Sequence, residues 1–211
     1  MYPDMRSWRR SICVLLFGMT FPAVVFAQHG RLALHAHGGY SFPESGYLHG
    51  EFESGFGVSY PILGGRLSLS IEFSHWTSLS NRAKGVLYNG TVSASPIIIC
   101  LQGEFLQNPF FIPCAFAGGA FVFTRFSIGS YASIPEVRID QQIADGPAFY
   151  FGLGARIPLN STLNFFSEGS YLMRSAPGKT TYRDMNQGVS SADFRVNLRT
   201  VFLKFGLKLF F

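Results

Sequence analysis

The sequence predicts an all-β protein: an eight-stranded antiparallel up-and-down transmembrane β-barrel preceded by a cleavable signal peptide. Three observations carry that expectation. The last fourteen residues alternate with period two, one face apolar without a break and the other carrying two lysines and a glycine. The first 27 have the layout of an export leader. Between them lie segments of about ten alternating residues, joined by connections that are short and long in turn.

The closing segment, residues 198–211, is the clearest. Val201, Leu203, Phe205, Leu207, Leu209 and Phe211 fall on one face, and Thr200, Phe202, Lys204, Gly206, Lys208 and Phe210 on the other. A period of two marks a strand whose faces meet different surroundings. The apolar face is unbroken to the final aromatic residue, whereas the other carries two lysines.

Residues 1–27 are expected to be removed on export, leaving one domain over 28–211. Arg6, Arg9 and Arg10 precede an apolar run over 12–21, and Val25 and Ala27 place small residues at −3 and −1 of a cleavage site after Ala27. The run is too short to span a bilayer as a helix. With the leader go three Arg and Asp4, so the net charge of +5 falls to +3. That modest excess gives no support to nucleic-acid binding. The chain holds 23 Phe, only 14% charged residues, and no mature stretch of about 20 apolar residues. An exported, apolar chain without a membrane helix fits a barrel, the other structure that satisfies its backbone in lipid.

Eight strands are expected in order: 31–42, 49–62, 66–77, 91–105, 110–126, 147–159, 162–173 and 198–211. The third is cleanest, with Leu67, Leu69, Ile71 and Phe73 opposite Ser68, Ser70, Glu72 and Ser74. In the fourth, Pro96 and the run 97–99 blur the alternation. Turns at 63–65, 107–109 and 160–162 are short, and the links at about 78–90, 127–145 and 174–197 are long and polar. Membrane barrels have short turns on one side and long loops on the other.

Eight strands, a leader and the terminal Leu207, Lys208, Leu209, Phe210 and Phe211 make the chain resemble the OmpA/OmpX-type, opacity-like small outer-membrane barrels of Gram-negative bacteria. The resemblance covers essentially the whole of 28–211 and rests on pattern, not on an activity motif. It implies an outer-membrane location and a monomer. It also implies contact with lipid and lipopolysaccharide, and recognition by the barrel-assembly machinery through Leu203, Phe205, Leu207, Leu209 and Phe211.

Strand phase assigns an interior polar network of His35, His37, Glu51, Glu53, Arg66, Glu72, Glu104, Arg156, Glu168, Lys204 and Lys208. Eight strands enclose a lumen that side chains fill, so these groups are expected to pair across it rather than line a pore. Hairpin counting sets Glu168 beside Lys204 as the foremost ion pair. His35 and His37 share a face and have chelating spacing, with Glu51 or Glu53 from the next strand, but a hydrogen-bonded lumen group is the expectation; no metal or cofactor is assigned. Cys100 and Cys114 stand almost symmetrically about the 107–109 turn, a candidate structural disulfide.

No catalytic residues are assigned. Outer-membrane lipid A deacylases place His, Ser and Glu on the lipid face. Here His75 has the outward phase, but Thr77 stands where that family's serine falls, Ser78 has the wrong phase, and no outward carboxylate is evident on the flanking strands. His75 and Trp76 are instead expected at headgroup level. The expected function is structural or adhesive, with the long links presented to an extracellular ligand. A lipid A-modifying enzyme and a narrow ion-conducting barrel are the alternatives.

Overall fold

The computed structural model describes residues 32–63, 66–81, 87–106, 110–128, 137–184 and 188–211. The leader with its cleavage site, Arg31, Gly64, Gly65 and the 107–109 turn lie outside the described residues. Twelve strands occur in the described chain: β1 (Ala33–Pro43), β2 (Leu48–His49), β3 (Phe52–Leu63), β4 (Leu67–Ser80), β5 (Gly90–Glu104), β6 (Ile112–Ile128), β7 (Val137–Ile143), β8 (Gly146–Pro158), β9 (Leu163–Met173), β10 (Ser175–Asp184), β11 (Gly188–Asn197) and β12 (Thr200–Phe210).

Eight of them close a barrel in the order β1, β3, β4, β5, β6, β8, β9, β12, with β12 returning to β1 and every pairing antiparallel. Closure is set by β12, whose Lys208 stands opposite His35 on β1 and whose Lys204 stands opposite Glu168 on β9. Alternate residues of each strand point out. On β12, Val201, Leu203, Phe205, Leu207 and Leu209 are exposed, while Phe202, Lys204 and Lys208 are buried. Leu69, Ile71 and Phe73 on β4, and Phe149, Phe151 and Leu153 on β8, continue the belt. Each such side chain forfeits about 1.5–3 kcal/mol if left in water. A continuous ring of them is stable only against lipid.

Pro96 does not end β5. The β4–β5 ladder runs from Phe73 opposite Ile97 to Trp76 opposite Ala94, and skips the two positions between. Proline has no N–H to donate, so pairing lapses locally and resumes.

The long links differ from the loops expected over 127–145 and 174–197. β10 and β11 form a hairpin in register from Ser175 opposite Asn197 to Asp184 opposite Gly188, and β7 adds to its other edge. Gly188 takes φ +87° at the turn, a conformation that glycine adopts without strain. Alternation is present over 175–184, but polar residues on both phases hid it. One phase of this sheet is buried (Ala176, Thr180, Gln141, Ile143, Val196) and the other is exposed (Lys179, Arg183, Asp193, Arg195). Between β4 and β5, the described part of the link caps the mouth. Tyr88 N–H donates to Gln141 Oε1 (2.9 Å), and Gln141 Nε2 donates to Thr180 Oγ1 (2.8 Å).

The interior has two storeys. Beneath the cap lies an apolar plug containing Trp76, Leu87, Leu172, Val196, Leu198 and Phe202. Trp76 is fully buried within it, 6.1 Å from Phe202 ring to ring. The expectation that Trp76 sits at headgroup level is therefore corrected. It is an even-numbered residue on a strand whose odd positions face lipid, and only His75 points out. The storey below is polar.

Candidate functional site

The polar storey is built by neighbouring strands with matched phase. β1 contributes His35 and His37, β3 Glu53, β4 Glu72 and Ser74, β8 Tyr150 and β12 Lys204. The histidine rings fit because Gly57 and Gly55 stand opposite them, where a Cβ would come within 2.6 Å of the rings. His37 Nε2 lies 3.0 Å from Glu53 Oε1, and Ser74 Oγ donates to Glu72 Oε1 at 2.9 Å. Lys204, 1% exposed, crosses the lumen. Its ammonium lies 2.5 Å from Glu72 Oε1, 3.6 Å from Glu53 Oε1 and 3.0 Å from the Tyr150 hydroxyl, to which it donates. Nearer the short turns, Arg156 pairs with Glu104 at 2.5 Å, and Lys208 donates to Gln102 Oε1 at 3.4 Å.

Several sequence expectations are corrected here. Lys204 does stand opposite Glu168, but its ion pairs are with Glu72 and Glu53. A long lysine side chain reaches over the lumen axis, which hairpin counting between neighbours does not reveal. Arg66 is exposed at the β3–β4 turn rather than interior. Glu51 precedes β3 and leaves the network: its Oε2 accepts from Thr77 Oγ1 at 2.7 Å, on the outward phase of β4. Cys100 and Cys114 both lie buried as free thiols. Cys100 is opposite Gly118 and Cys114 opposite Glu104, so the ladder offsets them by four residues. Symmetry about a turn does not determine register when the strands begin at different depths. Tyr150, Ser74 and Gln102 join the network although no charge marked them; their inward phase was the available signal.

Two things follow for chemistry. The lumen below the plug retains a cavity of only about 20 Å³, bordered by His35, Glu72, Cys100, Cys114, Glu168 and Lys208. That is room for about one water, not for a permeating solute. Second, donor atoms of His35, His37 and Glu72 lie within 4.8 Å of one another, a cluster able in principle to ligate a cation. The Lys204 ammonium already stands against that carboxylate and supplies the positive charge.

A second polar arrangement lies outside. His75 Nδ1 and Ser95 Oγ are 2.9 Å apart on the exposed surface, so a serine does stand beside the outward histidine. Phase analysis missed it because Pro96 obscured the alternation of β5. Glu51 is held by Thr77, which lies two residues along β4 from His75.

With these features in view, comparison with known proteins places the fold. No family model and no curated protein matches the chain. Among solved structures, the outer-membrane protein OprG from Pseudomonas aeruginosa superposes with a TM-score of 0.71 at 14% identity, covering 86% of this chain and 96% of that one. A major outer-membrane protein from Thermus thermophilus gives 0.57 at 10% identity, with 87% and 100% covered. The outer-membrane protein AlkL gives 0.50 at 17% identity, with 87% and 90% covered. The chain has the fold of outer-membrane β-barrels. More particularly, it is a closed eight-stranded antiparallel barrel with an apolar belt and, among the described residues, a lumen filled with side chains.

Proposed function

We propose that the barrel is a rigid platform in the outer membrane that presents the sheet β7–β10–β11 at the cell surface, in a structural or adhesive role. The observation carrying this reading is the pairing of β10 with β11 along ten residues each, continuing β9 and β12 beyond the apolar belt. The sheet is anchored as a body. Arg174 Nη1 donates to Val122 O (2.8 Å) and Thr124 Oγ1 (3.0 Å), its Nη2 donates to Ala144 O, and Asn197 N–H donates to Tyr47 Oη at 2.9 Å. The lumen beneath is filled with side chains, which favours presentation over transport.

The test is to replace residues 180–192 with an Asn-Gly turn closing the Lys179–Asp193 pair. Attachment of expressing cells to protein-coated and abiotic surfaces is then measured, with heat-modifiable gel migration confirming a folded barrel. Attachment falling to the empty-vector level with the barrel intact supports presentation. Attachment that survives the replacement removes the sheet from the account. A lipid-modifying enzyme is the second reading, and the His75–Ser95 contact is what favours it. Mass spectrometry of lipid A from cells expressing wild type and His75→Ala decides it: a lost acyl chain that requires His75 establishes the enzyme.

A further inference from the structure

A groove of about 830 Å³ runs along the lipid-facing wall where β5, β6, β8 and β9 meet. Its flanks are Ile97, Ile99, Phe121, Phe123 and Phe149, and Gly119 forms its floor. The ladder explains the depression. Gly119 is flanked by Ile99 on β5 and Phe149 on β8, so one row has large side chains on either side of a residue with none. At its outer end the groove reaches Ser175, the first residue of the surface sheet.

Immediately outward of this apolar bed the surface changes character. Ser95 stands opposite Phe123, and bonds His75; one row further out, Arg125 stands opposite Ser93, which itself faces Thr77. On the other flank, the exposed phase of the sheet carries Lys179, Arg183 and Arg195, with Arg199 just below, against Asp140 and Asp193. Three further carboxylates border the region and each is engaged: Glu51 by Thr77 Oγ1, Asp145 by the Thr124 N–H at 2.7 Å, and Glu44 by the Tyr171 hydroxyl at 2.7 Å. The opposite charges named here are equal in number, and the cation on the ledge itself, at the outer end of an acyl-sized furrow, is Arg125.

We propose that this furrow is a specific seat for one outer-leaflet glycolipid, with an acyl chain over Gly119 and a phosphorylated headgroup on the ledge of His75, Ser95 and Arg125. The apolar groove accounts for the chain, since burying it removes methylenes from contact with mobile lipid and packs them against aromatic edges. Arg125 on the ledge and Lys179 on the sheet account for the headgroup, because guanidinium and ammonium groups make charge-assisted bonds to phosphate oxygens. The His75–Ser95 contact serves here as a pre-oriented polar edge, not as a nucleophile and its base. The seat is independent of what the surface sheet contacts.

The test uses the full barrel in neutral detergent, native mass spectrometry, and bisphosphorylated lipid A as probe, with a zwitterionic phospholipid and inorganic phosphate as controls. Wild type is expected to retain one lipid A, in preference to the zwitterionic lipid, and no inorganic phosphate. Gly119→Leu fills the furrow at a position where an added Cβ meets nothing closer than Ala148 O at 3.9 Å. Arg125→Glu with Lys179→Glu reverses the flanks. Each change is expected to weaken retention by about tenfold, equivalent to about 1.4 kcal/mol, with heat-modifiable migration unchanged. Equal retention by wild type and both variants, or equal retention of the zwitterionic lipid, overturns the proposal. So does recovery of the probe lacking an acyl chain, which would make the ledge a hydrolase site.

Discussion

Replacing Lys204 with methionine tests whether the lumen is held by a cross-barrel ion pair. Methionine keeps most of the length and apolar volume of the stem, and removes the ammonium from 2.5 Å of Glu72, 3.6 Å of Glu53 and 3.0 Å of the Tyr150 hydroxyl. Two carboxylates then face each other with the rings of His35 and His37 and the Ser74 hydroxyl left to compensate. Breaking a buried pair by removing one partner costs about 3–5 kcal/mol. With an m-value of about 2 kcal/mol/M in urea, the unfolding midpoint falls by about 2 M. The two tryptophans of the chain are Trp8, within the expected leader, and Trp76, buried beside Phe202. Fluorescence of protein comprising residues 28–211 thus reports the interior directly. The companion variant Glu72→Gln, alone and combined with Lys204→Met, closes a double-mutant cycle. The double variant is expected to be more stable than the sum of the singles implies, by about 2 kcal/mol. Lys208→Met is the control, because among the described residues no carboxylate lies within ion-pair range of its ammonium. A loss below about 1 kcal/mol for Lys204→Met, or additive singles, would refute the cross-barrel account.

Two further outcomes follow from the ladder. Gly118 and Gly119 are adjacent but face opposite ways. A Cβ on Gly118 would sit 2.0 Å from Ile99 O, whereas one on Gly119 reaches only Ala148 O at 3.9 Å. Gly118→Ala is expected to cost more than about 2 kcal/mol and Gly119→Ala less than about 0.5 kcal/mol in the same urea titration. The offset of Cys100 and Cys114 leaves both thiols free, so unfolded exported protein should take up two equivalents of maleimide without reductant; uptake of none would place a disulfide between them.

Much of this molecule is legible in its residues taken one at a time. In lipid a strand declares its two faces by alternation alone, because apolar and polar surroundings lie on the two sides of one backbone. That is why β4 and β12 are readable almost to the residue, and why His37, Glu53, Glu72 and Lys204 are inward by phase. The short turns and long connections likewise fix the strand count, since a barrel wall admits only whole crossings.

What alternation does not contain is which residues meet across space. Period two gives a side, not a partner. Lys204 pairs with Glu72 rather than its neighbour Glu168 because the lumen is narrow enough for a lysine to cross. The cysteines miss each other because register depends on where each strand starts. Outside the lipid both faces of a strand are polar, so the sheet of β7, β10 and β11 lacks the solvent contrast that reveals strands and is visible only once its backbone pairs have formed. Ser95 comes beside His75, and Gly119 between two large side chains, only when β4, β5, β6 and β8 are laid edge to edge. The sequence by itself determined that a barrel would form and which way each strand faces; closure of that barrel decided the pairs, the cap and the furrow, because those depend on distances between strands far apart in the chain.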